Sequence, residues 1–159
     1  MFGLFNKELK LIAPISGKTV DLSTVPDPVF AQKMTGDGIA IDPTGDLLVA
    51  PADGELSLVF KTKHALAMTL SNGIELLIHI GMDTVSLEGE GFEFLCEQGT
   101  KVKAGTPLLR INHEFIKSKN LSLVTPILIT NMDAVKSLNP TIGESVEAGK
   151  DTILTYKTK

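Results

Sequence analysis

The sequence predicts an all-β fold, an antiparallel sandwich or barrel-like arrangement with few short helices. Three observations carry this reading. Turn signals recur at short intervals, among them Ser16-Gly17, Gly36-Asp37-Gly38, Pro43-Thr44-Gly45-Asp46, Ala52-Asp53-Gly54, Asn72-Gly73 and Ala104-Gly105. The stretches between them are short and rich in Val, Ile, Leu and Thr, as expected for strands rather than for alternating strands and helices. Finally, segments repeat. LIAPISGKTV (11–20) and LVAPADGELS (48–57) share Leu-x-Ala-Pro-x-x-Gly, 37 residues apart; GTKVKAGTPLL (99–109) and GESVEAGKDTIL (143–154) share Gly-x-x-Val-x-Ala-Gly, 44 apart. One such strand-turn-strand unit cannot bury its apolar face alone, so the copies imply two similar halves packed together. VTPILI, from Val124, reads as a third partial copy.

Taken in order, residues 1–10 read as a short tail and 11–159 as a single domain. The tail's Phe2, Leu4 and Phe5 are expected to cover an edge of the core; there is no basic n-region or small-residue cleavage site to mark a secretion signal. Helices are expected at Pro28 to Met34, Glu114 to Lys117 and Met132 to Ser137. No apolar stretch reaches the ~18 residues that a membrane span needs. A net charge of −4, a pI near 5.3, no tryptophan and one tyrosine leave no footprint for nucleic acid and suit a basic protein partner. The single Cys96 cannot form an internal disulfide, so a reducing, cytoplasmic setting is expected.

The chemistry concentrates in KTKHALAM and LLIHIGMDTV. The segments His64 to Leu70 and Ile74 to Ile80 flank Ser71-Asn72-Gly73, and Asn-Gly is a strong hairpin signal. An Asn72-Gly73 loop sets Leu66 opposite His79 and His64 opposite Gly81; a Ser71-Asn72 loop sets His64 opposite His79. Either register puts His64, Leu66, Met68, Leu77 and His79 on one face, with Ala65, Ala67, Ile74, Leu76, Ile78 and Ile80 on a dry core side. A slip of one residue would separate the histidines. Two imidazoles in an apolar dish favour the neutral form, since desolvation and like charge both oppose protonation.

From the residues alone, three readings stand: satisfied core histidines, a two-histidine metal site, or a neutral nucleophile. Zinc takes three or four ligands, and the close spacings His-x-His and His-Glu-x-x-His are absent, while Cys96 and His113 show no ligand spacing. No Gly-x-Ser-x-Gly elbow and no Walker loop occurs. A biotinyl or lipoyl carrier would share the Ala-Pro-x-x-Gly turns but needs a hairpin-tip lysine in Met-Lys-Met or Asp-Lys-Ala, and neither is present.

Several stretches together resemble the glucose-class enzyme IIA of the bacterial phosphoenolpyruvate-dependent sugar phosphotransferase system: PDPVFAQKMTGDGIAIDPTG (26–45), VAPADG (49–54), TKHA (62–65), IELLIHIGMDTVSLEGEGFE (74–93), TNMD (130–133) and VEAG (146–149). The resemblance runs from about Leu11 to Tyr156. It implies a sandwich with Greek-key features and a duplicated hybrid motif. It also implies that a phosphoryl group is accepted from the histidine phosphocarrier protein and passed to a cysteine of a sugar permease IIB domain on a separate chain. By the same resemblance His79 is the phosphorylated residue, acting through Nε2, and His64 and Thr62 donate hydrogen bonds to phosphoryl oxygens. Asp83 would organise the rim or cap the turn after the strand. Partner contacts are implied for Val29, Phe30, Met34, Ile39, Phe60, Leu77, Ile80 and Val85, with Asp27, Asp37 and Asp83 as an acidic rim. No cofactor is required; a regulatory complex could bridge His64, His79 and a partner carboxylate through zinc. GLFNK (3–7) resembles the start of the longer, membrane-contacting tail of many members.

Overall fold

The computed structural model describes residues 7–159, so the expectation for Phe2, Leu4 and Phe5 lies outside the described residues. Fourteen strands follow in chain order: β1 (Leu9–Ile12), β2 (Gly17–Val20), β3 (Asp37–Pro43), β4 (Leu47–Val49), β5 (Gly54–Val59), β6 (Ala65–Leu70) and β7 (Glu75–His79). The second seven are β8 (Phe92–Phe94), β9 (Lys101–Val102), β10 (Pro107–Ile111), β11 (Thr125–Ile129), β12 (Val135–Pro140), β13 (Ser145–Val146) and β14 (Thr152–Thr158). Because β1 begins at Leu9, the end of the expected tail belongs to a sheet. Two short helices, α1 (Pro28–Ala31) and α2 (His113–Ser118), start where Asp27 and Asn112 accept from the backbone amides of Val29 and Phe115. The third expected helix is instead a 3₁₀ turn, Met132–Ala134, running into β12; β-branched Val135 favours the strand once β14 offers it a partner.

All strand pairs are antiparallel, and they form three sheets. The largest has the order β13-β2-β3-β11-β7-β6-β5-β9, and two smaller ones run β1-β14-β12 and β4-β10-β8. That large order is palindromic under a twofold that exchanges β11 with β7, and its centre is the pair Ile127↔Ile78. The backbone bonds obey the same twofold. Ile12 N donates to Pro51 O at 3.0 Å while Val49 N donates to Pro14 O at 2.7 Å; Gly105 N bonds Ala50 O as Gly149 N bonds Ala13 O. The sequence repeats are thus the two halves of the fold, and their unequal spacings have a cause. The half spanning 47–111 is inserted into the other, between β3 and β11. VTPILI is not a third copy: it forms β11, the counterpart of β7.

One core draws on all three sheets, with Ile39, Ile41, Leu66, Leu76, Ile78 and Ile127 fully or almost fully buried from the large sheet against Leu11, Leu48, Leu109, Leu154 and others from the small ones. A second, smaller cluster (Leu22, Val25, Phe30, Ala40, Met82 and Leu128) sits on the outer face of the large sheet under α1.

The β6–β7 hairpin takes neither register expected from the sequence. Its ladder pairs Ala65↔His79, Leu66↔Ile78, Ala67↔Leu77 and Met68↔Leu76, the one-residue slip. The turn has three residues: Leu70 O accepts from Gly73 N, Leu70 N donates to Ile74 O, and Gly73 is left-handed at φ 88°. That is the three-residue loop with a left-handed glycine rather than the two-residue one. Asn72 is the reason, because its side chain is spent on one local and one tertiary bond: Oδ1 accepts from Ile74 N within the turn, and Nδ2 donates to the buried Tyr156 hydroxyl at 2.8 Å. Leu66 and Met68 therefore share the core face with Leu76, Ile78 and Ile80, whereas Ala65, Ala67, Leu77 and His79 face outward.

Ile127→Ala removes a fully buried side chain at the twofold centre; it is expected to lower the unfolding free energy by about 2–5 kcal/mol, read as a lower urea midpoint at unchanged m-value.

Candidate functional site

His79 ends β7 on the outer face of the large sheet, half-buried, where only small side chains cover the neighbouring strand at Ala65 and Ala67. Its ring lies 4.9 Å, centroid to centroid, from Phe30 of α1. The chain then leaves the strand through Gly81, left-handed at φ 82°, whose carbonyl oxygen is 2.8 Å from His79 Nδ1. A carbonyl can only accept, so Nδ1 carries the proton and donates. That tautomer leaves the lone pair on Nε2, the nitrogen a nucleophile would use.

His64 reaches the same place by another route. The β6 ladder stops at Ala65, and His64 lies where the chain turns through left-handed Lys63 at φ 60°. The side-chain alternation of the strand therefore does not bind it. The backbones are tied instead: Ile80 N donates to His64 O at 2.7 Å. The two imidazoles stand edge to face, centroids 5.0 Å apart at 82°. The expected proximity of the histidines holds, but not through the opposed strand positions inferred for it. Thr62 Oγ1 lies 2.6 Å from His64 Nδ1 and Phe60 sits edge-on to the ring at 5.6 Å. Thr62, expected to donate to a phosphoryl oxygen, is placed on the second histidine. Neither Nε2 has a hydrogen-bond partner among the described residues.

Burial pushes the pKa of His64 below its ordinary 6.5, and the charge that His79 can carry pushes it further the same way. Burial is also the largest influence on His79 and lowers it, against the opposing effects of the Gly81 carbonyl and the carboxylates of Asp27 and Asp83. Both rings are therefore neutral at pH 7.

Asp83 is exposed and left-handed at φ 58°, and its side chain makes no cap bond to the 3₁₀ turn Thr84–Leu87. Its charge opposes the lowering of the His79 pKa by burial. Of the expected contact residues, Met34 (70% exposed), Val85 (51%) and Val29 (43%) are accessible, and Phe60 and Leu77 are half-buried. Ile39 and Ile80 are corrections: both are fully buried, Ile39 facing the core opposite Ile127 and Ile80 beside Ile78's layer. Neither can touch a partner. Phe30, 6% exposed, is a wall of the histidine pair more than a contact surface. Sequence reasoning passed over Gly81 and Thr84, although both stand in the quoted run. A glycine directly after a buried strand was the available signal for the first.

The family described as the phosphoenolpyruvate-dependent sugar phosphotransferase system, EIIA 1, matches residues 9–135. The chain belongs to this family. It is 46% identical over 156 residues to the PTS system glucose-specific EIIA component of Bacillus anthracis, spanning 97% of this chain and 94% of that protein. Against the component of the same name from Staphylococcus aureus (strain N315) it is 49% identical over 133 residues, 84% and 80% of the two chains. The solved structure of the glucose permease IIA from Mycoplasma capricolum superposes with a TM-score of 0.88 at 40% identity, covering 95% of this chain and 97% of that one. As an EIIA member the chain is a phosphotransferase of sugar uptake. No helix among the described residues is long and apolar enough to cross a membrane.

Among the described residues no group of three or more His, Cys, Asp or Glu is placed to hold a metal ion. The EIIA histidine pair offers two ligands where zinc takes three or four, so a bound zinc would need the remainder from outside the chain.

Acid should reveal the neutral histidines. As pH falls below about 6.5 the unfolded chain takes up protons that the folded His64 and His79 resist, so stability is complete above that value and declines below it. Ring-proton NMR titration is expected to give midpoints below 6.5 for both residues, and urea midpoints are expected to fall from pH 7 to pH 5.

Proposed function

We propose that His79 Nε2 is the phosphoryl acceptor of this EIIA protein, taking the group from the histidine phosphocarrier protein and giving it to a cysteine of a permease IIB domain. The observation that carries this reading is the bond from His79 Nδ1 to Gly81 O, because it leaves an unprotonated Nε2 in an apolar, docking-competent setting. In the first step the Nε2 lone pair forms an N–P bond as the donor's N–P bond breaks, and the donor imidazole leaves with that electron pair. In the second, a cysteine thiolate of the permease attacks phosphorus and Nε2 departs neutral. The names of the relatives make glucose the first sugar to test.

His64 would serve the transferred group. With the Thr62 hydroxyl donating to Nδ1, the proton of a neutral His64 ring sits on Nε2 and can donate to a phosphoryl oxygen as its charge redistributes. Thr62 thus sets the tautomer of the second histidine as Gly81 sets that of the first. Val29, Met34 and Val85 supply an exposed apolar rim for transient docking, with Phe60 and Leu77 partly within reach. Asp27 and Asp83, whose charges reach His79, would meet a basic partner.

Purified protein given phosphoenolpyruvate, enzyme I and the phosphocarrier is expected to gain one acid-labile, alkali-stable phosphate. His79→Gln should take up none, and label retained on that variant would remove His79 as acceptor. His64→Gln is expected to accept phosphate yet pass it to the permease about 10²-fold more slowly or worse, the scale of losing one transition-state donor; an unchanged transfer rate excludes His64 from the mechanism.

A further inference from the structure

We propose that Thr84 is a positioning residue for the reacting histidine: its buried hydroxyl locks the loop whose Gly81 carbonyl fixes the tautomer and tilt of the His79 ring. The proposal deepens the acceptor reading and rests on it. The loop from Ile80 to Thr84 contains two left-handed residues, Gly81 and Asp83, and no regular ladder supports it. Three bonds fix the part of it that surrounds Gly81. Ile80 N donates to His64 O at 2.7 Å, Met82 N donates to Ser122 O at 2.9 Å, and Thr84 Oγ1 donates to Ile80 O at 2.6 Å. The first two are backbone bonds; the third comes from a side chain, as does the bond from Ser86 Oγ to Asp83 O at the far end of the loop.

Thr84 is 0% exposed, so its hydroxyl has no water to turn to. A buried hydroxyl costs free energy unless it is bonded, and a valine would fill the same space without that cost. The methyl contributes as well. A Cβ placed on Gly81 would come within 2.7 Å of Thr84 Cγ2 and within 2.7 Å of Ser122 O, so Thr84 closes one side of Gly81 while its hydroxyl fixes the carbonyl just before it. The exposed Asp83 carboxylate makes no such bond.

The Met82 N–H and the Gly81 C=O belong to one peptide unit. With the N–H on Ser122 O and the C=O on His79 Nδ1, that unit is a link in a hydrogen-bonded chain polarised toward the imidazole. Without the Thr84 hydroxyl the neighbouring peptide is free to turn, and the Gly81 carbonyl no longer faces Nδ1 squarely. The ring proton then distributes between the two nitrogens. A ring protonated on Nε2 has no lone pair where attack occurs.

The ring ¹⁵N shifts of His79 in the unphosphorylated protein report the tautomer directly. They need no phosphoryl donor, so a failure of this proposal is distinguishable from a failure of the acceptor reading, which shows only as absent labelling in the unaltered protein. The unaltered protein is expected to hold the proton on Nδ1. Thr84→Val is expected to show a mixed tautomer and a phosphoryl acceptance rate about three- to tenfold lower, the factor that one net hydrogen bond represents. Thr84→Ser is expected to restore the tautomer. Should Thr84→Val not fold, Thr84→Ala is read the same way. A folded hydroxyl-less variant that keeps the Nδ1 tautomer and the original rate overturns the proposal, as does a mixed tautomer that serine does not correct.

Discussion

The register of the β6–β7 hairpin governs which face of the large sheet carries His79. With Leu66 opposite Ile78, the even-numbered apolar residues of β7 enter the core and His79 faces outward. A shift by one residue would bury the imidazole and expose Leu76 and Ile78. What fixes the register is a tertiary contact at the far end of the hairpin, where Asn72 reaches the buried Tyr156 hydroxyl of β14. The turn and the His79 ring are at opposite ends of one ladder, and the ladder carries the constraint between them.

On that outer face the sheet is lined with small residues and then walled. Phe30 and its cluster stand on one side of His79, and Phe60 with His64 on the other. Partial burial keeps both imidazoles neutral, and a neutral ring needs its one proton placed. Gly81 does this for His79 and Thr62 bears on His64, each through Nδ1. Each Nε2 is left without a hydrogen-bond partner among the described residues, which is what the proposed phosphoryl transfer requires.

Much of this was legible beforehand. Glycine and proline spacing, short β-branched runs and the paired repeats led to an antiparallel sandwich of two halves, and the motif around His79 led to the family. The hairpin register was not legible, because Asn72-Gly73 is a good two-residue loop in isolation and its true partner, Tyr156, lies 84 residues away. Nor was the burial of Ile39 and Ile80: in a strand exposed on one face, a shift of one position separates a contact residue from a core residue. His64 and His79 were paired correctly on a mistaken geometry, since both loop lengths considered kept them on one face and the real one joins them through a turn. Met132 to Ser137 read as helix because nothing local announces the partnership of β12 with β14.

The nesting of one half inside the other has a topological consequence. The inserted half starts and finishes on paired strands, with Leu47 opposite Arg110. So does the outer half, with Leu9 opposite Tyr156. Each half is thus a closed loop of chain with its two ends side by side, and either could have been the one that interrupts the other. A circular permutation that joins the described ends and opens the chain beside Thr44 would place the two halves one after the other, with no nesting, while leaving each sheet ladder as it stands. The fold and its site are set by the pairings, and the order in which the chain visits them is a separate, exchangeable choice.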